Sequence, residues 1–178
     1  MLLSLVKFID EQEGMIQMDI HLFKEVLCTK LDDIEKRTLH VLHQLNDDEV
    51  NYRCNEASNS IANLVVHISG NVDERVRRGI RGSDVTRDRD AEFDVLSRTR
   101  DELIEITKES YQDVRQTIER MSEEDWMKTQ VIRNKERSNL EVLLTCATHF
   151  SEHLGQMLYL AKMFKDQDFI TASIPKRK

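Results

Sequence analysis

The chain has 178 residues, of which 33% are charged, and its formal net charge is -7. A chain of this length can build one domain with a sizeable core. The acidic excess argues against nucleic acid as the main partner, because binding to phosphates needs a basic surface. The sequence contains five glycines and one proline, so helix breakers are scarce and an all-α fold is favoured.

Neither a signal peptide nor a membrane span is predicted. The apolar residues 1–6 are followed, not preceded, by a lysine, and acidic residues come soon after; this order does not fit a secretory signal. No apolar run approaches the ~20 residues of a membrane span. The cysteines, Cys28, Cys54 and Cys146, are odd in number and widely spaced. We therefore expect reduced thiols and a cytoplasmic protein. Met15 and Met18 are possible alternative translation starts.

Two amphipathic helices are predicted in the first half of the chain. Apolar residues at steps of three and four indicate a first helix over about residues 18–45. A second helix is expected to begin after Ser58 or Asn59 as N-cap and to end at Gly79 or Gly82. Residues 81–90 alternate in charge without apolar periodicity, so we expect a long loop before the third helix.

The second half predicts two more helices. Asp90 can cap a third helix of roughly thirty residues, whose apolar stripe runs from Phe93 to Met121. A short turn or helix then carries Trp126, and a polar segment, residues 129–137, follows it. Ser138 and Glu141 form a capping box at the start of the fourth helix.

Together these segments predict an all-α four-helix bundle with a long loop between helices 2 and 3. No segment alternates at period two, so no strands are expected. We assign residues 1–178 to a single domain with its core at about residues 18–165. The residues before the core form an N-terminal extension. The tail beyond Gln167, with Pro175 and a basic end, is expected to be peripheral.

Three histidines are candidates for metal binding. His149 and His153 lie four residues apart, so on a helix both side chains point to one face. His67 alternates with apolar residues on the second helix, and all three are expected to face inward. Taken alone, such a pair is more often a set of ordinary core or boundary histidines. Three neutral imidazoles on one divalent ion would leave a coordination position open, as in a catalytic or substrate-binding site.

Other residues admit two interpretations. Cys146 is a conceivable fourth ligand, but a small packed core residue is the commoner role of a free cysteine. Six arginines between Arg75 and Arg89 could bind an anionic substrate, whereas the interspersed acidic residues favour a salt-bridged, solvated loop. Glu152 points away from His153, so the residues that orient the histidines stay unnamed. His21, His40 and His43 are expected at the surface or its boundary.

The chain resembles the DinB-like superfamily of metal-binding four-helix bundles. The segments from Asn59 to Asn71 and from His149 to Gln156 are similar to the second-helix and fourth-helix motifs of that superfamily. The segment from Arg87 to Phe93 is similar to one found in a branch without assigned function. The resemblance covers about residues 18–165.

This resemblance implies a divalent transition metal, nickel or zinc, on His67, His149 and His153, and a homodimer. The resemblance does not settle the reaction. Because characterised relatives include S-transferases and isomerases that use low-molecular-weight thiols, our leading hypothesis is a metal-dependent thiol S-transferase that uses a thiol such as bacillithiol on a small-molecule substrate. Two alternatives are open. One is a metal-dependent hydrolase of the same fold. The other is a non-catalytic dimeric bundle, related to stress, whose metal site is closed by a ligand such as Cys146. DNA binding is a weaker hypothesis, against which the acidic charge speaks.

Overall fold

Four long helices pack side by side in the computed structural model, which describes residues 19–172. They are α1 (Ile20–Leu42), α3 (Ile61–Val72), α4 (Arg100–Arg120) and α6 (Asn139–Lys165). Helices α1 and α3 each contact both α4 and α6. The predicted all-α four-helix bundle is therefore confirmed. The predicted N-terminal extension and the end of the tail, residues 1–18 and 173–178, lie outside the described residues.

Short elements connect the long helices. A one-turn helix, α2, covers Asp47–Asn51, and a π-helix, Asp73–Arg78, continues α3 without a break. A 3-10 turn covers Ala91–Phe93, and another, Asp166–Asp168, follows α6. Helix α5, Glu123–Met127, carries the buried Trp126, as predicted.

Local capping fixes where the helices begin. Ser60 caps α3, Thr99 caps α4 and Ser138 caps α6. The side chain of each capping residue accepts a hydrogen bond from the backbone N–H three residues later, and the side chain of that later residue accepts one from the backbone N–H of the capping residue. These reciprocal pairs satisfy amide groups that would otherwise lack partners at a helix start. The predicted box of Ser138 and Glu141 is confirmed, whereas the cap of the second helix lies one or two residues later than predicted.

The predicted start of the third helix at Asp90 is wrong. Helix α4 begins at Arg100. Leu96, in the segment after the 3-10 turn, packs against the core, whereas Phe93, within that turn, lies against the His67 ring. The spacing of these two apolar residues imitates a helical stripe, but the segment that carries them is a loop that folds back over α3.

A two-stranded hairpin precedes α6 and was missed by sequence. Strands β1 (Thr129–Ile132) and β2 (Lys135–Ser138) are antiparallel and pair Ile132 with Lys135. The two residues between them, Arg133 and Asn134, have φ values of 48° and 62°, as required by a two-residue hairpin turn.

The core and the chain ends complete the fold. Apolar side chains from all four long helices are buried together, among them Leu31, Val65, Leu103 and Phe150. The part of the tail that is described lies against the end of α1: His40 Nε2 lies 2.7 Å from Ile170 O, and Gln44, just after α1, accepts a hydrogen bond from Ile170 N at 2.8 Å. Among residues 19–172, no helix is long and apolar enough to cross a bilayer.

Candidate metal centre

The three predicted histidines meet between α3 and α6. His67 Nε2 lies 3.3 Å from His149 Nε2, and His153 Nε2 lies 2.8 Å from the same atom. Ligand atoms of all three lie within 4.8 Å of one another. His67 is buried and the two α6 histidines are partly buried. The structure thus brings together the site residues that the sequence singled out.

The Nδ1 atoms of His67 and His153 each lie within hydrogen-bonding distance of an acceptor oxygen. His67 Nδ1 lies 2.7 Å from a carboxylate oxygen of Glu92, and His153 Nδ1 lies 2.9 Å from Oε1 of Gln156. Each Nδ1 must therefore carry the proton, which leaves a lone pair on each Nε2 of the neutral rings. Both lone pairs point toward His149 Nε2. A single N–H at His149 can bond only one of them, so the arrangement suits a shared cation.

The spacing of the nitrogens also fits an ion. Bonds of about 2.0–2.1 Å from a transition metal to imidazole place adjacent ligand nitrogens roughly 2.8–3.4 Å apart in octahedral or tetrahedral geometry. The distances from His149 Nε2 to His153 Nε2 and to His67 Nε2, 2.8 and 3.3 Å, match this range. His67, His149 and His153 could therefore hold a metal ion with little movement.

Burial keeps the site ready for a cation. Burial, together with the neighbouring imidazoles of His153 and His67, lowers the pKa of His149 from 6.5 to about 4. Burial also lowers the pKa of His67, although the hydrogen bond with Glu92 opposes that shift. Both rings are consequently neutral at pH 7, which is the form that binds metals.

Glu92 connects His67 to a buried ion pair. Only 4% of Glu92 is exposed. Arg87 donates to its two oxygens at 2.5 and 2.8 Å and to Glu74 Oε2 at 2.6 Å. Burial of a carboxylate is costly without such a partner. The series of hydrogen bonds from His67 through Glu92 and Arg87 to Glu74 fixes the orientation of the His67 ring. Carboxylates commonly have this role behind metal-binding histidines.

Two residues of α3 position the loop that carries Glu92. Asn63 Nδ2 donates to the backbone carbonyls of Glu92 and Asp94 at 2.9 and 2.8 Å. One turn beyond His67, Gly70 leaves space for the carboxylate, since a Cβ there would lie 2.0 Å from Glu92 Oε1. The lack of a side chain at this position lets the loop approach the helix.

Cys146 is buried in the core, in agreement with the interpretation of this residue as a packed core cysteine. It is 2% exposed, and its Sγ donates to Asn71 Oδ1 at 3.4 Å. Burial raises its pKa to about 12, against the opposing charge of Arg75. Within residues 19–172, the group of converging ligand atoms contains the three histidines and not this thiol.

Five of the six arginines form salt bridges, as predicted, although Arg75, Arg77 and Arg78 lie on the π-helix and not in a loop. Arg77 and Arg81 both bind Asp113 on α4, and Arg78 lies 3.4 Å from Glu74. Arg87 holds Glu92, and Arg89 lies over the Phe93 ring at 4.9 Å. Arg75 lies 3.6 Å from Glu74 and also lines a cavity beside His149.

The remaining histidines take no part in the site. His21 and His43 are exposed, and His40 Nε2 bonds the backbone oxygen of Ile170 at 2.7 Å. All three cysteines are free.

Sequence reasoning missed Glu92, Asn63 and Gly70 as parts of the site. Glu92 reaches His67 because the loop folds back over α3, a long-range path that periodicity does not reveal. A signal was present, however: the segment from Arg87 to Phe93 was already recognised as characteristic, and it contains both members of the ion pair.

Comparisons with known proteins agree with this architecture. The family model described as "Protein of unknown function (DUF1572)" matches residues 20–178. A conserved protein from Enterococcus faecalis has 15% identity and a TM-score of 0.68, with 78% of this chain and 95% of that chain covered. No curated protein matches the chain in sequence.

Two further solved structures are DinB-like proteins. The one from Bacillus cereus ATCC 10987 has 14% identity and a TM-score of 0.63 over 79% of this chain and 91% of its own. The one from Bacillus subtilis, YjoA, has 16% identity and a TM-score of 0.60 over 78% and 92%. These likenesses establish a shared helical-bundle fold. The chain therefore belongs to the DUF1572 family of proteins of unknown function and has the DinB-like fold.

Proposed function

We propose that His67, His149 and His153 bind a divalent transition ion, nickel or zinc, and that the protein is a metal-dependent thiol S-transferase. The co-substrate would be a low-molecular-weight thiol such as bacillithiol. The observation that carries the proposal is the convergence of the histidine Nε2 atoms, two of them with lone pairs fixed by Glu92 and Gln156.

An ion at this position would lower the pKa of a thiol, so that its sulfur is a nucleophile at neutral pH. The protein residues prepare for that chemistry. Burial keeps His67 and His149 neutral. The Glu92 carboxylate holds the His67 ring and adds negative charge behind it, which favours a cation in front.

The ligand set leaves room for a substrate. Three protein ligands are fewer than a transition ion takes, and sites with three are typical of catalysis. Cys146, the candidate for a closing ligand, donates instead to Asn71. This contact supports an open site over the non-catalytic bundle, whose metal would be fully enclosed.

Metal content tests the site itself. Elemental analysis of protein purified without a histidine tag should find close to one transition ion per chain. His67→Ala and His153→Ala should each lose most of it, whereas His40→Ala, on α1 and outside the group, should not. Unchanged metal in both site variants would show that the ion binds elsewhere.

Activity distinguishes the candidate reactions. The metal-loaded protein is mixed with bacillithiol or glutathione and a generic electrophile, and loss of free thiol is followed. Thiol consumption that depends on the ion and on His153 supports the S-transferase. Turnover of esters or amides without thiol would support the hydrolase, and a bound metal without any turnover would support the non-catalytic bundle.

We also propose a homodimer, the state that the resemblance implies. Sedimentation equilibrium should give twice the chain mass of 20.9 kDa. A single species at the chain mass would contradict it.

A further inference from the structure

A cavity of about 600 Å³ adjoins the histidine group. Its walls come from the end of α3 with its π-helical continuation, from the hairpin β1–β2, and from the first half of α6. His149 belongs both to the histidine group and to the cavity wall, and Cys146 lines the wall next to it. A molecule in the cavity would therefore meet the candidate metal centre at His149.

Positive charge is concentrated in this cavity. Four cationic residues line it: Arg75, Arg133, Lys135 and Arg137. The carboxylates on its wall are Glu141 and Glu152. Since the whole chain has a net charge of -7, a local excess of cations runs against the general character of the surface and attracts anions to this place.

Two of the cations are free to bind a ligand. Arg137 is engaged with Glu141 at 3.0 Å, and Arg75 lies 3.6 Å from Glu74. By contrast, Arg133 and Lys135 form no ion pair with any residue between 19 and 172. Glu141 is further occupied as the acceptor of the capping box at Ser138. The cavity is thus not neutralised from within.

The hairpin that carries these cations is fixed to the helices. Gln130 Nε2 donates to Arg75 O and to Asn139 Oδ1, each at 3.2 Å. A Cβ on Gly79 would lie 2.2 Å from Gln130 Oε1, so the strand fits closely against the end of the π-helix. The Arg133 and Lys135 backbones are therefore held at a defined position over the cavity.

The backbone at the hairpin tip adds a second observation. Arg133 has a φ of 48°, a left-handed conformation that glycine, asparagine or aspartate adopts at lower cost. An arginine there is retained at the expense of local strain. Such strain is common where a side chain serves binding.

We propose that this cavity binds a small organic anion through its carboxylate, held by Arg133 and Lys135 at the hairpin, with its reacting end toward His149. The inference rests on the proposed function, because it takes the ion as the place of reaction. The carboxylate could belong either to the thiol co-substrate or to the second substrate.

The test uses cobalt-loaded full-length protein and thiols that differ in one end group. The probes are 3-mercaptopropionate and 6-mercaptohexanoate, and the mercapto-alcohols of the same lengths. A thiolate on cobalt gives an intense charge-transfer band, so each titration yields an affinity. We expect at least one mercapto-acid to bind about tenfold more tightly than its alcohol at low salt, and this preference to weaken as salt is added.

The variant Arg133→Gln/Lys135→Gln should retain cobalt and bind the alcohols as the parent does. Its preference for the acids should fall to less than about threefold. Arg98→Gln/Lys108→Gln is the matched control: it removes the same charge from residues outside the cavity and should keep the full preference. Thermal unfolding checks that all the proteins fold.

Glutarate carries carboxylates and no thiol. Its binding shows whether the carboxylate comes from the thiol co-substrate or from the second substrate, and it tests the anion site independently of the proposed thiol function. Calorimetric binding of glutarate that weakens at least fivefold in the hairpin variant assigns the cavity to the second substrate. Binding of mercapto-acids alone assigns it to the thiol. If glutarate binds through the hairpin but no thiol produces a band, the thiol function fails and the anion site stands. Equal affinity for acids and alcohols, with strong bands and no glutarate binding, would overturn the anion site.

Discussion

At the scale of single residues, Glu92 links the bundle to its candidate chemistry. Its carboxylate accepts from His67 and from Arg87 while only 4% of the residue meets solvent. A buried carboxylate keeps its place when every lone pair has a donor. The same contact fixes the proton of His67 on Nδ1 and therefore frees Nε2.

Replacement of this carboxylate should weaken metal binding without unfolding the protein. Glu92→Gln retains an oxygen that can accept from His67, but it loses the negative charge behind the ring and faces Arg87 with an amide. We expect metal affinity to fall about 10–100-fold. Competition with a chromophoric chelator measures the affinity. Glu105→Gln, on the exposed face of α4, is the control, and equal affinities in both variants would contradict the role of Glu92.

The buried imidazoles predict a pH dependence of stability in the metal-free protein. His149 has a pKa of about 4 when folded and 6.5 as the ordinary value, so the unfolded chain binds more protons between these values. Stability is therefore complete above about pH 6.5 and is lost as pH falls toward 4, by up to about 3 kcal/mol. Burial of His67 acts in the same direction.

Urea denaturation at several pH values measures this loss. His149→Gln removes the group that must take up the proton, so its unfolding free energy should change less between pH 6.5 and 4. Titration of carboxylates also changes the unfolding free energy, mainly at the acidic end of this window. Because parent and variant contain the same carboxylates, this contribution cancels in the comparison. Identical slopes in parent and variant would contradict the assignment.

At the scale of the elements, the helices were predictable and their connections were not. Stripes such as Leu27, Leu31 and Ile34 recur at helical spacing because one face of each helix must be buried. The hairpin has four-residue strands whose side chains are mostly exposed, so its sequence shows no alternation of apolar and polar residues. The sequence likewise predicted the histidines, which lie on helices, but not Glu92, whose position depends on how a loop returns.

Two glycines test the close approach of that loop to α3. Gly70→Ala places a Cβ within 2.0 Å of Glu92 Oε1, and we expect it to displace the carboxylate, lower metal affinity and cost about 1–3 kcal/mol of stability. Gly155→Ala is the matched control on α6, where nothing lies within 4 Å of the new Cβ. It should stabilise the protein by about 0.5–1 kcal/mol. Chemical denaturation and chelator competition measure both, and a stabilised Gly70→Ala with normal affinity would refute the packing.

The hairpin tip predicts that stability and binding change in opposite directions. Arg133→Asn places a residue that tolerates the left-handed region at a φ of 48°, so unfolding free energy should rise by up to about 1 kcal/mol. Binding of anionic thiols should weaken, because a cation leaves the cavity. Denaturation and cobalt titration measure the two effects, and a fall in stability would show that the arginine is not strained there.

At the scale of the whole molecule, the site joins two helices that are distant in sequence. His67 comes from α3, whereas His149 and His153 come from α6, about eighty residues later. Helix α3 also packs on α4, and α6 packs on α1. Only the assembled bundle brings the three rings together, so binding of an ion and formation of the native state are coupled.

Metal should therefore stabilise the entire bundle. If the unfolded chain has little affinity, free metal at about a hundred times its Kd raises the unfolding free energy by about 2.7 kcal/mol. Thermal unfolding of metal-free protein with increasing nickel or zinc should show a progressive rise in Tm. His153→Ala should abolish most of the rise, and His40→Ala should keep it, because His40 bonds the tail at Ile170 instead. A Tm that rises equally in all three proteins would mean that the ion binds away from the α3–α6 contact, and the coupling would then have no structural basis.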